Sequence, residues 1–152
     1  MPAGANAATE LKHEHAVIEG LTTRIATLET GDERGRLVQE AAQRFLTHMR
    51  AEELYLYPAL RRFLPHGEAE AVDQARHGAA IRNIVDSIDR TDVHDATFDA
   101  LANQLVIDIQ RHIEQQDVKL LPALLQACPL EEINHLGRQL RGGMSDARDG
   151  EA

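Results

Sequence analysis

Apolar residues recur every three to four positions along this chain, and that spacing predicts helices almost throughout. A first helix is expected over residues 10–28, with Leu11, Ile18, Leu21, Ile25 and Leu28 on one face, Thr9 as N-cap and Gly31-Asp32 as the break. A second is expected over residues 33–63, with the stripe Leu37, Ala41, Phe45, His48, Glu52, Leu56 and Leu60. Pro58 should kink it or end its regular part, and Pro65-His66-Gly67 forms the next turn. The third covers residues 68–89, with Ile81, Ile84, Val85 and Ile88 facing inward. Asp92 is the expected cap of the fourth, with Asp95 favoured in its first turn by the helix dipole. That helix runs to about residue 126 through Leu101, Leu105, Ile109, His112, Gln116 and Leu120, until Cys128-Pro129 stops it. Residues 130–140 read as a short fifth helix, and Gly142-Gly143 with the polar tail as mobile.

No stretch alternates with period two for long, so the fold class is all-α. Four long helices with short connections predict an up-down-up-down antiparallel four-helix bundle, followed by a short C-terminal helix. The two halves are related. The segment from His48 to Leu60 matches the segment from His112 to Leu124: a histidine leads, acidic or amide residues follow four and five places on, and Pro-Ala-Leu closes both. Each matching segment follows a helix with a histidine of its own, His15 and His77. Facing helices that carry histidines and carboxylates are how a bundle builds a dinuclear metal centre.

Composition narrows the function. The 152 residues suffice for one domain with a substantial core, and 43% hydrophobic content is far from that of a disordered tail. No apolar run is long enough to span a membrane. Residues 1–8 lack the basic and apolar regions of a signal peptide and read as a frayed end. Lone Cys128 rules out an intramolecular disulfide and fits a reducing, cytoplasmic setting. A net charge of −9, with arginines interspersed among acids, argues against nucleic acid as a partner. With aromatics at 3% and no Trp, stacking platforms are also disfavoured. Histidine stands out at eight residues.

On a helix, positions i and i+4 lie ~40° apart, so His48 and Glu52 project together on a stripe that Phe45 and Leu56 mark as core. A buried carboxylate beside a buried imidazole is costly unless paired or bound to a metal. The same stripe of the fourth helix holds His112 and Gln116. Imidazole plus carboxylate does not by itself choose between zinc and iron.

Taken in order, these motifs resemble the hemerythrin-like family, the HHE cation-binding domains. They are Lys12-His13-Glu14-His15 with the following Ala16-Val17-Ile18, then His48, Glu52, Glu53, Tyr57 and Pro58, then Arg76-His77, then His112, Asp117 and Pro122. The match spans about residues 10–126, within a domain expected over 9–141 and flanked by flexible termini at 1–8 and 142–152. The resemblance implies a non-haem di-iron centre, with two iron ions bridged by carboxylates and an oxo or hydroxo group. It assigns metal-ligand roles to His15, His48, Glu52, His77, His112 and Asp117, with Glu52 bridging. His13 lies ~200° around the helix from His15 and should point elsewhere.

Two departures from the family pattern matter. Many members place Glu four residues after the helix 4 histidine, where this chain has Gln116. Hemerythrins proper place Asp five residues after, which fits Asp117, although an ideal helix sets it ~140° from His112. Asp117 is the expected second carboxylate and Gln116 the alternative. In helix 3, oxygen carriers have two histidines one turn apart, whereas His77 is flanked by Asp73 and Ile81. The place could stay open or be taken by Asp73 or the Tyr55 phenol, and Glu53 should make an outer or surface contact. The implied function is binding of, or reaction with, a small oxidant such as oxygen, peroxide or nitric oxide, with catalase-like or nitric-oxide-handling activity as its enzymatic form. The alternative is a non-enzymatic oxygen- or iron-binding or sensing module.

Overall fold

The computed structural model describes residues 6–150, with side chains for 6–145; of the ends expected to be flexible, 1–8 and 142–152, residues 1–5 and 151–152 lie outside the described residues. Its elements are α1 (Ala7–Thr27), α2 (Asp32–Ala51), a π-turn (Glu52–Leu56), α3 (Tyr57–Phe63), α4 (Gly67–Asp89), α5 (Ala96–Gln115), a second π-turn (Gln116–Leu120), α6 (Leu121–Ala127) and α7 (Leu130–Gly150). Each π-turn joins its two α-segments into one long helix, so α1, α2–α3, α4 and α5–α6 form the all-α bundle and α7 packs on α1 and α2. Among the described residues no helix is long and apolar enough to cross a membrane.

Several boundaries differ from expectation. The first helix starts earlier, at Ala7, because the Asn6 side chain caps it by accepting from the Thr9 backbone N–H at 2.9 Å. Ala7 and Ala8 are buried rather than frayed. Asp95, not Asp92, caps α5, accepting from Thr97 N–H at 2.9 Å; Asp92 accepts from His94 N–H and shapes the preceding turn. Gly31 has φ 154°, a backbone conformation open mainly to glycine, and makes the turn into α2. The last helix is not short. It continues through Gly142-Gly143, where Gly143 lies against Tyr55 and Ala51 and Met144 is buried, so packing offsets the low helix propensity of glycine.

Ahead of Pro58 and Pro122 the regular α-helix gives way to a π-turn and then resumes. Proline has no N–H to donate, and its ring crowds the carbonyl four residues back. One extra residue per turn relieves both problems ahead of Pro58 and Pro122: Tyr57 N–H bonds Glu52 O, and Leu121 N–H bonds Gln116 O, each five residues back. The inward face therefore steps from His48 to Glu52 at spacing four and from Glu52 to Tyr57 at spacing five.

The apolar core comes in two clusters. One contains Ile18, Ile25, Phe45, Met49, Ile81, Val85, Leu105 and Ile109. The other contains Leu11, Leu56, Tyr57, Leu60, Leu120, Leu124, Leu136 and Leu140. A fully buried side chain of this kind contributes about 1.5–3 kcal/mol. In every helix of the bundle a buried polar residue falls between its contributions to the two clusters: His15 in α1, His48 with Glu52, Gln74 in α4, and His112 with Gln116. A polar layer thus crosses the middle of the bundle.

Candidate metal centre

The layer is built around Glu52. This carboxylate is fully buried, and its Oε1 lies 3.4 Å from His48 Nε2 and 3.2 Å from His112 Nε2. His15 Nε2 lies 3.3 Å from His48 Nε2. One ligand atom each from His15, His48 and Glu52 falls within 4.8 Å of the others. Phe45 fixes two of the rings, lying stacked on His48 at 5.8 Å and edge-on to His112 at 5.2 Å between centroids.

Asp117 stands behind His15. Its Oδ1 accepts from His15 Nδ1 at 2.7 Å, and its side chain is 29% exposed. With the proton held on Nδ1, the Nε2 lone pair of His15 is turned toward His48 and Glu52. This is the outer carboxylate–histidine arrangement that orients metal-binding imidazoles. The alternative residue, Gln116, is the one that meets the central carboxylate: its amide donates to Glu52 Oε2 and, at 2.9 Å, to Gln74 Oε1. Gln74 in turn donates to Gln115 Oε1 at 3.2 Å.

His77 is not brought to this cluster. It is exposed, and Gln74, three residues earlier, takes the inward position of α4. His77 instead lines a cavity of about 380 Å³ with Ile81, Arg111, His112 and Gln115, so the two histidines share a cleft rather than a set of contacts. Asp73 is exposed, with Arg76 at 4.0 Å, and Glu53 makes a surface pair with Arg82. Tyr55 rests beside Gly143, away from the polar layer. The buried phenol is that of Tyr57, because the π-turn moves the inward face by one residue. Gln74 was legible in principle, since it is seven residues before Ile81 and fourteen before Ile88 on the buried stripe, but a helical glutamine attracts no attention.

The electrostatics centre on one anion. Burial pushes Glu52 up, yet His48 and His112 together hold its carboxyl well below the ordinary range. Burial likewise pushes His48 down, but the Glu52 carboxylate carries it net upward. Burial and the neighbouring His48 lower His15. Burial and the charges of Glu52 and Glu53 raise the Tyr57 phenol. Outside the cluster, buried Glu14 makes a two-pronged ion pair with Arg44 at 2.8 and 3.2 Å.

The donor set fits a metal cation. Nitrogen and oxygen ligands about 2.1 Å from one ion are themselves roughly 3.0–3.4 Å apart, and the spacings of 3.3 and 3.4 Å match this. Facing imidazole nitrogens form a hydrogen bond only if one carries a proton, whereas a shared cation satisfies both lone pairs. His48 Nδ1 and His112 Nδ1 are buried without a partner, as is Gln116 Oε1.

Known proteins agree. The model of the hemerythrin HHE cation-binding domain matches residues 6–124. The crystal structure of a hemerythrin HHE cation-binding domain-containing protein from Mycobacterium kansasii superposes with a TM-score of 0.80. It is 24% identical, and the alignment covers 95% of this chain and 88% of that one, a likeness of fold. No curated protein matches the sequence. The family match over most of the chain, on a bundle whose central layer gathers imidazoles around one carboxylate, places this protein in the hemerythrin HHE cation-binding domain family.

Proposed function

We propose that this chain is a non-haem iron protein that binds or reacts with small oxidants: oxygen, peroxide or nitric oxide. The observation that carries the reading is the convergence of His15, His48 and Glu52 within 4.8 Å in the buried layer. In its full form the centre would be di-iron, with His15, His48 and Glu52 holding one ion and His112 available to a second. Bound iron would supply the electron transfer that no side chain here can. Two imidazoles and one carboxylate, with positions left open, are a recognised iron-binding set.

The chain's own residues do the rest. Asp117 holds the proton on His15 Nδ1. Phe45 fixes the rings of His48 and His112. The two apolar clusters keep bulk water from the layer, and the cleft lined by His77, Arg111 and His112 offers a small ligand a way in. His77 acts in this reading from the wall of the cleft.

Anaerobic loading with Fe(II), followed by metal analysis, tests the reading. The chain should retain iron, and the metal at about 100 times its Kd should stabilise the fold by about 2.7 kcal/mol, raising Tm by roughly 5–10 °C. A chelator should reverse the gain. A chain that retains no iron and melts unchanged would sink the proposal. Oxygen evolution from added peroxide would show turnover; uptake that reverses on degassing, without peroxide turnover, would show carriage.

A further inference from the structure

We infer that the centre is asymmetric: His15, His48 and Glu52 hold one ion tightly, while the position beside His112 binds a second far more weakly because Gln74 and Gln116 wall it with neutral amides. The inference rests on the reading of this layer as a metal site.

The first position has two imidazoles and an anion. Around the second the donors are different. Gln116 points its NH2 group, which cannot ligate a cation, at Glu52 Oε2 and Gln74 Oε1. That orientation is set by its neighbours, because the flipped amide would place oxygen against two oxygens. Gln116 Oε1 is buried and unpartnered, and at most offers a neutral ligand. Gln74 Oε1 accepts from Gln116 and its nitrogen donates to Gln115, so Gln74 too offers at most a neutral oxygen.

The same hydrogen bond restricts Glu52. With Oε2 accepting from Gln116, only Oε1 faces both His48 and His112. A second ion must therefore share Oε1 with the first or compete with the Gln116 N–H at Oε2. Charge points the same way. Two divalent ions would bring four positive charges close together against Glu52 and Asp117, and like charges at short range repel strongly.

The test is an anaerobic titration of the unaltered chain with Fe(II), and separately with Zn(II), against a competing chelator. Losing an outer partner of a metal site weakens binding 10–100-fold, so a position short of charged ligands should bind its ion at least about 100-fold more weakly than the first. After oxidation, the singly loaded protein should show the electron paramagnetic resonance of an isolated ferric ion. Gln116→Glu should tighten the second equivalent by at least about tenfold and diminish that signal as a coupled pair forms. Two equivalents of equal affinity in the unaltered chain would overturn the inference and leave the iron reading standing; no bound metal would overturn both. A folded Gln116→Glu chain with an unchanged second equivalent would overturn the role given to the amides. Should that variant not fold, the titration of the unaltered chain decides.

Discussion

In the proposed iron site Asp117 would orient a ligand rather than act as one. It bonds the far side of the His15 ring, which fixes the tautomer and turns Nε2 inward. Asp117→Ala should weaken iron binding about 10–100-fold and cost the metal-free fold about 1–3 kcal/mol, since the buried His15 ring loses its acceptor. Asp117→Asn, which can still accept from Nδ1, should recover much of the affinity; a direct ligand would show no such recovery. Chelator competition and urea unfolding measure the two effects. At this scale the sequence was informative wherever helical phase and chemistry agreed. His48, Glu52 and His112 each fall on a stripe of apolar residues, so their inward position followed from spacing, whereas His15 came from the family resemblance. His77, assigned by the family resemblance, lies on the exposed side of α4, while Gln74, on its buried stripe, looks like any helical amide.

The two π-turns are what phase counting alone could not supply. Pro58 and Pro122 marked the places, but proline in a helix reads equally as a kink, a stop or a widened turn. The widening decides which side chains meet the polar layer: it buries Tyr57 and leaves Tyr55 beside Gly143. It also sets Gln116 and Asp117 side by side, one on Glu52 and the other on His15. Deleting exposed Val118 together with Pro122→Ala should convert the second π-turn into regular α-helix. His112, Gln116 and the present Leu121 would then share one face at spacings of four, so the chain should still fold, with unchanged helical circular dichroism. Asp117 would swing from His15, and iron affinity should fall about 10–100-fold. Retained affinity would show that the π-turn does not position the site.

For the molecule as a whole, α7 is a structural wall, although the glycine pair suggested a short helix with a loose tail. Its Ile133, Leu136, Leu140 and Met144 are buried in the second apolar cluster, which includes Leu11, Leu60 and Leu124. These four side chains contribute on the order of 6–12 kcal/mol by area alone, as much as the whole stability of a typical domain. A chain truncated after Pro129 should therefore fail to unfold cooperatively in urea, and should bind a hydrophobic dye. A sharp transition near that of the full chain would contradict this role for α7. The bundle and its helix order were legible because hydrophobic periodicity persists over four long segments. The extent of α7 was not, because glycine propensity is local and the packing that overrides it comes from distant Ala51 and Tyr55.

The packing of α7 on α1, joined at the surface by the Arg141–Glu10 pair, also bears on how the protein is made. Helices neighbouring in sequence can pair as they emerge, but the outer face of α1 waits for a partner more than a hundred residues away. Until then Leu11 and the alanines before it lie uncovered, beside the helix that carries His15. The polar layer therefore gains its full apolar enclosure only once α7 has been made and has packed on α1.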